Sequence, residues 1–398
     1  MRLKKRFQTA SPPGAAAVAK GYKLVVVVSA QAGHTNSLYD MAAQYSRAPD
    51  AAEEDALVAV GEQMSAALFA MMLQDAGIKA RSMLGWQIPI RTDADHSRAR
   101  ILSIDDANLR RALETYDVVS IAGFQGVTED GRITTLGRGG SDTSAVAVAA
   151  ALGSVECEIY TDVDGVYTTD PRICSTARKL DHISYDEMLE MASLGAKVLQ
   201  IRSVEFAKKY RVPVHVRSTF SDLSGTMVTQ GDHMMEAALV SGIAYDKDMA
   251  CITLVDVPDR PGVSAAIFTP LAEAGVLVDM IVQKPSRTGT TDLTFTLSRK
   301  ELKRSLPIME NVRKAIGGSS VGHADNVVKV SAIGVGMRNH AGVAAKAFAA
   351  LSSEGINILL ISTSEIKISC LIEEKYLELA VRTLHDAFDL GACPDVAE

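Results

Sequence analysis

The hydrophobic pattern of the chain changes character near residue 230. Before that point, continuous apolar runs at Lys23–Ala30 and Val118–Gly123 alternate with helical patterns such as Ala52–Ala76 and Ala196–Tyr210. Short β-branched runs are typical of strands buried on both faces, and their alternation with helices indicates a largely parallel sheet between helical layers. We therefore predict an α/β domain over residues 21–230, preceded by an atypical tail over residues 1–20.

Shorter patterns complete this region. They predict strands and loops at Ile78–Ile90 and Arg98–Ile104, helices at Asp105–Tyr116, Thr143–Leu152 and Tyr185–Ala192, a hairpin through Glu129–Gly131, and strands at Glu158–Tyr160 and Val214–Ser218. Serine and glycine at Ser221–Gly225 and Gly231–Asp232 mark the end of the domain.

A repeat with a step of 80 residues follows. Arg260–Ile281 lies over His340–Ile361, with matching glycine, valine, alanine, phenylalanine and leucine positions. Each copy reads strand, glycine turn, amphipathic helix, strand and a further strand or hairpin. A βαββ module of this size cannot bury both of its faces, so the two copies should pair with each other or with a second chain. Their predicted bounds are 245–325 and 326–398.

Composition excludes several classes of function. The net charge of −7 and the 5% aromatic content argue against a nucleic-acid partner. Apolar runs such as Leu24–Val28 have strand length, which predicts no membrane span. The five cysteines are scattered and never form a CxxC pair, so we expect reduced thiols, no metal site and a cytoplasmic location.

The strongest candidate chemistry lies in Thr134–Arg172. A glycine loop around Arg138 opens into a helix of small residues, for which Ser141 or Asp142 is the predicted N-cap. Glycines allow backbone N–H groups to approach an anion, and the guanidinium suits a carboxylate or a phosphate. The strand that follows ends in polar residues, a glycine and an aromatic, which predicts the rim of a nucleotide site.

Two further positions are candidates from their place in the pattern. Ser29 and Thr35 follow the first buried strand, where a parallel sheet presents ligand groups. Glu62 lies among apolar positions of a helix. It is either an ordinary solvated charge or a group directed toward a cleft, and the pattern leaves both readings open.

These segments closely resemble the aspartate kinases of the amino-acid kinase family over about residues 21–390. The matching motifs are VVVVSAQAGHTN at 25–36, GEQ at 61–63, GFQG at 123–126, TTLGRGGSD at 134–142, YTDVDGVYTTDPR at 160–172, KVLQIRSVEFA at 197–207 and STSEIKIS at 362–369. The resemblance implies a three-layer sandwich like that of carbamate kinase, followed by two ferredoxin-like ACT domains.

The implied reaction transfers the γ-phosphoryl group of Mg-ATP to the β-carboxylate of L-aspartate. It yields 4-phospho-L-aspartate, the first step of lysine, threonine and methionine biosynthesis through diaminopimelate. A carboxylate is already an ionised nucleophile, so the chemistry needs alignment and charge neutralisation rather than a general base. The resemblance implies that Mg²⁺ arrives with the nucleotide.

The resemblance assigns residue roles at matching positions. Implied catalytic residues are Arg138, Asp142 and Lys197. Implied aspartate-binding residues are Thr35, Glu62, Arg138, Gly139, Gly140 and Ser141. Implied nucleotide-binding residues are Ser29, Ser141, Thr161, Asp162, Tyr167, Asp170, Arg172 and Lys197. For Lys197 the ordinary reading is a solvated helix lysine.

The repeats resemble ACT domains, which pair edge to edge and hold amino acids at their interface. They imply feedback inhibition by lysine, threonine or both, and a homo-oligomer. Implied effector residues of the first repeat are Asp259, Gly262, Val263, Ser264, Leu277, Val278, Asp279 and Gln283. Those of the second are Val343, Ala344, Asn357, Ile358, Ser364 and Glu365. For Val278, Val343 and Ile358 a plain core role is also plausible.

The chain departs from the family at its start. The family's first strand carries Lys-Phe-Gly-Gly-Thr-Ser, whose lysine contacts the transferred phosphate, and this motif is absent here. The departure leaves a second function class open, a catalytically impaired or inactive amino-acid-binding regulator. It also admits a start placed too far downstream, or a partner that supplies the segment.

Overall fold

The computed structural model describes residues 18, 20–154, 156–194, 198–231, 239–283, 289–340 and 342–392. The chain divides into two compact units. The first comprises Met1–Val166, Lys179–Ala192 and Lys197–His233, and the second comprises Tyr167–Arg178, Ser193–Ala196 and Met234–Glu398. The predicted Lys197 lies outside the described residues.

Within its described residues, the first unit contains three small sheets. A parallel sheet has the order β1-β5-β2, a mixed sheet the order β8-β10-β11-β9, and a third the order β4-β3-β6-β7. The strands are β1 (Leu24–Val28), β2 (Ala80–Met83), β3 (Ile90–Thr92), β4 (Ile101–Ile104), β5 (Val118–Ala122), β6 (Gln125–Val127), β7 (Ile133–Thr135), β8 (Cys157–Thr161), β9 (His182–Ser184), β10 (Val214–Ser218) and β11 (Thr226–Thr229).

Its helices follow the predicted positions with three shifts. They are α1 (His34–Tyr45), α2 (Ala51–Val58), α3 (Val60–Asp75), α4 (Ala107–Thr115), α5 (Gly140–Leu152), α6 (Tyr185–Ser193) and α7 (Ile201–Tyr210). The single helix predicted over 52–76 is broken at Ala59 into α2 and α3. Helix α5 begins three residues before its predicted start, and α7 begins five residues after it.

Helices cover both faces of the β1-β5-β2 sheet. Val25 and Val27 pack into a core with Leu109 of α4, whereas Val26 and Val28 pack on the other face with Phe69 of α3. This arrangement confirms the predicted helical layers on two sides of a parallel sheet. All five residues of β1 are nevertheless only half-buried, because in the described chain β1 pairs along one edge only, with β5.

Helices α2 and α3 together form a long apolar stretch. Residues Ala51–Asp75 are long and apolar enough to cross a membrane, but half of that window is buried inside the structure. Helix α3 packs against β1, β2 and β5. A helix at the core of a soluble fold has this composition too, and the packing explains it here.

The second unit is built on one antiparallel sheet with the order β13-β14-β12-β15-β17-β16. Its strands are β12 (Gly242–Pro258), β13 (Val278–Gln283), β14 (Thr290–Ser298), β15 (Ser320–Ile333), β16 (Leu360–Thr363) and β17 (Lys367–Glu373). Its helices are α8 (Val263–Glu273), α9 (Leu302–Ile316), α10 (Val343–Ser353) and α11 (Leu377–Ala387). The two repeats therefore pair with each other.

Strand β12 serves both repeats. Its later part pairs with β14 of the first repeat, whereas Gly242–Asp246 pairs with Lys329–Ile333 of the second. Val240 and Ile243 lie in the core of the second repeat, together with Val381 and Leu384 of α11. The sequence prediction placed the second repeat entirely after residue 325. The structure instead completes it with Gly242–Asp246, the first part of β12, which precedes helix α8 of the first repeat.

Candidate functional site

Helix α5 begins at a left-handed glycine and has no side-chain cap. Gly139 is its N-cap, with φ of 68°, and no side chain accepts a hydrogen bond from the first turn. The prediction that Ser141 or Asp142 caps the helix is therefore wrong, because the glycine turn places both residues inside the first turn. Uncapped N–H groups at a helix start are suited to bind an anion.

The glycines of this loop allow close packing that a larger residue would prevent. A Cβ on Gly139 would lie 2.2 Å from Cγ of Gln200, and a Cβ on Gly140 would lie 2.9 Å from Cβ of Leu136. At the end of β5, a Cβ on Gly123 would lie 2.9 Å from Cβ of Ser141. The loop, the end of β5 and the start of α7 are therefore in contact.

Arg138 projects from this crowded loop into solvent. Its side chain is exposed, and in the described part of the chain it forms no hydrogen bond or ion pair. The structure thus provides a guanidinium without a counter-ion beside the uncapped start of α5. This arrangement suits an anionic ligand.

Glu62 is buried at the start of α3. It is 4% exposed, its Oε1 accepts a hydrogen bond from the N–H of Ala30 at 3.0 Å, and its Oε2 has no partner. Burial raises the pKa of Glu62 to about 7, and the hydrogen bond from Ala30 opposes this rise. Its burial overturns the solvated-charge reading. The pKa and the unpartnered oxygen indicate a functional carboxyl group.

Tyr39 of α1 connects the two charged groups. Burial raises the pKa of Tyr39, the carboxylates of Glu54, Asp55 and Glu62 raise it further, and the guanidinium of Arg138 lowers it. The phenol therefore lies within electrostatic range of both Arg138 and Glu62. A cation and a carboxylate that share one neighbourhood can hold the two charges of an amino acid.

Three other predicted residues lie at the ends or in the first turns of their secondary-structure elements. Thr35 is in the first turn of α1, which starts after the left-handed Gly33 without a side-chain cap, and Ser29 follows β1. Asp142 lies in the first turn of α5. Burial raises its pKa to about 6, and a hydrogen bond from the backbone N–H of Gln200 opposes the rise.

The predicted nucleotide residues fall into both units. Thr161 ends β8 beside Ser218 of β10, and its hydroxyl donates to Asp162 at 3.2 Å in the first unit. Tyr167, Asp170 and Arg172 belong to the second unit. The structure does not bring these two groups together within one unit.

Asp170 is tied into the second repeat. It accepts hydrogen bonds from Nη2 of Arg172 at 2.7 Å and from the hydroxyl of Tyr245 on β12 at 2.8 Å. The hydrogen bonds from Arg172 chiefly hold the pKa of Asp170 low, at about 2. Asp170 is therefore ionised at neutral pH and orients the exposed Arg172 side chain.

One cluster in the first unit has the spacing of a metal site, formed by Glu156, Glu158 and His215. Nδ1 of His215 lies 2.8 Å from Glu156, and Nε2 lies 2.6 Å from the carbonyl oxygen of Ser224. Glu158 binds Arg217 at 2.9 Å. The three side chains are thus engaged by neighbouring groups of the protein.

The predicted effector residues occupy equivalent turns of the two repeats. Gly262 and Gly342 are left-handed N-caps of α8 and α10, and neither helix has a side-chain cap. Val263 and Val343 follow them and are buried. The remaining predicted residues lie before or after the N-cap glycines, along β13 or around β16: Asp259, Ser264, Leu277, Val278, Asp279, Gln283, Ala344, Asn357, Ile358, Ser364 and Glu365.

A cavity of about 470 Å³ lies in the second unit. Leu277, Val278 and Asp279 line it together with Lys329 of β15. The Lys329 side chain is buried and forms an ion pair with Asp279. The cavity brings three predicted effector residues together, and the ion pair links the two repeats.

Sequence reasoning missed several polar residues of these sites, namely Tyr39, Asp55, Gln200, Arg202, Tyr245 and Lys329. Asp55 carries a usable signal, because it lies two helical turns before Glu62 in the same apolar pattern. Lys329 similarly interrupts an apolar strand. Both Asp55 and Lys329 are charged side chains at positions where the hydrophobic pattern predicts an apolar core residue.

Three family models match the chain. The amino acid kinase family matches residues 5–218, more than half of the chain, and the ACT domain matches residues 252–316 and 330–388. Aspartate kinase of Pseudomonas fluorescens is 54% identical over 375 residues, which are 94% of this chain and 91% of the relative. Aspartokinase of Pseudomonas aeruginosa is 54% identical over 374 residues, with the same coverage.

Solved structures agree with these relatives. Aspartokinase III of E. coli in complex with aspartate and ADP has a TM-score of 0.75, with 26% identity over 96% of each chain. The same enzyme with lysine and aspartate has a TM-score of 0.70, with 26% identity over 94% of this chain and 95% of that one. All four are named as kinases, and the alternative of an inactive regulator has no support.

Proposed function

The chain belongs to the aspartate kinase family, and on that premise we propose that it transfers the γ-phosphoryl group of ATP to the β-carboxylate of L-aspartate in the cytoplasm. The observation that carries this proposal is that Arg138, exposed and without a partner among the described residues, and the buried Glu62 both act electrostatically on Tyr39. L-Aspartate carries one ammonium and two carboxylates, so it needs both charges in its site.

In the proposed complex, Arg138 binds a substrate carboxylate and Glu62 accepts a hydrogen bond from the substrate ammonium. The unpartnered Oε2 of Glu62 supplies the acceptor. Binding an ammonium favours the ionised form of Glu62, and burial strengthens this interaction because water does not screen it. Thr35, Gly139, Gly140 and Ser141 complete the boundary of the amino-acid site.

The phosphates are proposed to lie at the start of α5. Its uncapped N–H groups and crowded glycines form a cradle that side chains would fill. Ser29, Ser141, Thr161 and Asp162 then border the nucleotide in the first unit. Tyr167, Asp170 and Arg172 belong to the second unit and remain predictions from sequence as nucleotide ligands. Lys197 remains a prediction from sequence.

The donor set fits a magnesium ion carried by the nucleotide. Asp142 and Asp162 are oxygen ligands of the kind that Mg²⁺ prefers, and neither forms an ion pair in the described residues. Bound Mg²⁺ would neutralise charge on the β- and γ-phosphates. The chain's own residues align the aspartate carboxylate, hold its ammonium and provide backbone donors.

The second unit is proposed to bind a regulatory amino acid and to assemble the chain into a homo-oligomer. Glycine turns at Gly262 and Gly342 leave backbone donors for an effector carboxylate. Lysine and threonine are the proposed effectors, since the ACT repeats of the family carry feedback inhibition.

The test is aspartate-dependent formation of ADP by the purified chain with Mg-ATP. An acyl phosphate product is trapped by hydroxylamine as a hydroxamate, which separates phosphorylation of a carboxylate from ATP hydrolysis. We expect both products in equal amounts. ADP without hydroxamate, or neither product, would contradict the proposal. Glutamate in place of aspartate is the substrate control.

A further inference from the structure

A buried carboxylate holds one side of the loop that carries Arg138. Asp55 of α2 is fully buried and accepts hydrogen bonds from the N–H of Thr135 at 3.0 Å, from the N–H of Ser97 at 2.9 Å and from the hydroxyl of Thr135. Nδ1 of His96 lies 3.0 Å from the same carboxylate. Four donors compensate its burial. Thr135 ends β7, so Asp55 fixes the backbone that enters the loop.

An arginine holds the other side. Nη1 of Arg202 donates to the carbonyl oxygen of Leu136 at 2.6 Å, and Nη2 donates to that of Ala99 at 2.8 Å. The segments that contain Ala99 and Leu136 are also linked directly, because the N–H of Ala99 donates to the carbonyl oxygen of Thr135 at 2.9 Å. The planar fork of one guanidinium therefore ties the loop to its neighbouring segment.

The two residues act on the same pair of segments, 96–99 and 135–136. Gly137 packs directly on this support, since its Cβ would lie 3.1 Å from the carbonyl oxygen of Ser97, and its φ is 78°. The next residue, Arg138, has no partner of its own in the described chain. The contacts of Asp55 and Arg202 therefore restrain the backbone that leads to Arg138 and do not involve its side chain.

We propose that Asp55 and Arg202 are positioning residues that set the orientation of Arg138 toward the substrate carboxylate. This inference rests on the proposed function, because it takes Arg138 as the aspartate ligand. Neither residue touches the substrate. Their effect is on the alignment of aspartate in its site, since a misplacement of about 1 Å can cost about 10²-fold in rate.

Arg202→Lys is the main variant. Lysine keeps the charge but cannot bridge two carbonyl oxygens in a fixed plane. We expect the KM for aspartate to rise about tenfold and the KM for ATP to change by less than about twofold. Arg110→Lys is the matched control, because Nη2 of Arg110 also donates to two carbonyl oxygens, those of Ala151 and Leu152, at the far end of α5. It should change neither KM.

A double-mutant cycle separates positioning from general destabilisation. If Arg202 acts through Arg138, the combined Arg202→Lys and Arg138→Lys variant loses less aspartate affinity than the product of the single losses. A multiplicative loss, or equal rises in both KM values, would overturn the proposal. Asp55→Asn should reproduce the selective rise in the aspartate KM, and thermal unfolding shows whether that variant remains folded.

Calorimetry makes the result independent of turnover. L-Aspartate binding is measured for the wild-type chain and for Arg202→Lys. A wild type that forms no hydroxamate but binds aspartate about tenfold more tightly than the variant would refute the proposed reaction and retain the positioning role. An active wild type with unchanged aspartate affinity in Arg202→Lys would refute the positioning role alone. No aspartate binding by the wild type would refute both.

Discussion

The Arg138 loop and the glycine turns of the two repeats share one structural feature, a left-handed glycine at the start of a helix, but its surroundings differ. Gly139, Gly262 and Gly342 are all left-handed N-caps without a side-chain cap. Around Gly139 a Cβ would meet Gln200 at 2.2 Å, whereas around Gly262 and Gly342 it would meet nothing within 4 Å. The N-cap glycine is therefore in close contact with a neighbouring side chain in the first unit, whereas the space beside it is empty in the second.

The difference corresponds to what each site is proposed to do. A loop that aligns a phosphoryl acceptor must already have its final geometry before the substrate arrives, because reorganisation at that stage raises the barrier. A turn that receives an effector can adjust on binding, and open backbone at its start leaves room for that adjustment. Substitutions that alter the packing around each glycine therefore test this difference.

The largest expected effect comes from the group that the crowded loop presents. Arg138→Ala should lower kcat/KM for aspartate by about 10²–10³-fold, because the substrate carboxylate loses its charged partner. Thermal unfolding should not change, since Arg138 is exposed and unpartnered in the described chain. Arg132→Ala is the control, because Arg132 is an exposed arginine of the same segment and its ion pair with Glu53 contributes little.

Exchanging the glycines tests the comparison directly. Gly139→Ala should lower kcat/KM by about 10–100-fold, since the methyl group would displace Gln200 and distort the loop. Gly262→Ala meets only the backbone strain of a positive φ, which costs about 1 kcal/mol. Kinetics and thermal unfolding of both variants check this. Equal losses of kcat/KM would show that crowding is irrelevant.

The pH dependence of aspartate binding should follow Glu62. Its pKa near 7 in the free protein means that the carboxyl group is ionised above that pH and protonated below it. The KM for aspartate should therefore rise as pH falls through 7, by about tenfold per unit well below it. Glu62→Gln should have a high KM with no such dependence. The KM for aspartate is obtained from initial rates between pH 5.5 and 8.5 at saturating ATP, and a KM that does not change with pH in the wild type would contradict the prediction.

The smallest expected effect concerns the open side of the comparison. Asp279→Asn removes the partner of the buried Lys329 side chain and should raise the inhibitory concentration of the effector by a few fold, about 1 kcal/mol. Asp279→Asn leaves the charge of Lys329 buried without its partner. Lys329→Met instead removes the buried charge itself, so it should be the more stable of the two variants. Inhibition curves for lysine and threonine, with denaturant unfolding, test both statements.

Local pattern predicted most elements of the fold. The repeated helices α8 and α10 are where periodicity placed them, because the apolar positions of each helix face the core of its own repeat. The strand at Val214–Ser218 is also where the pattern placed it. The break at Ala59 was not predictable, since neither glycine nor proline marks it. The start of α5 was misplaced because serine and aspartate are favoured N-caps, and a left-handed glycine displaced them.

The candidate site was predictable only where a motif carries it. Arg138 and its glycines are visible as a local cluster, and Glu62 was noticeable as an acid among apolar residues. The hydrogen bonds of Asp55 to Thr135 and of Arg202 to Leu136 join residues far apart in the sequence. No local propensity encodes such contacts, because they exist only once the sheets have assembled.

The two-part use of strand β12 has a consequence for how the chain is made. Residues 242–246 emerge from the ribosome early, but their partners at 329–333 are translated only after the whole first repeat. The sheet of the second repeat therefore cannot be completed until β17, close to the end of the chain, has been synthesised. Meanwhile the first half of β12 is an unpaired strand that other chains could bind. A stop codon before residue 329 would consequently leave residues 242–246 without their partner strand.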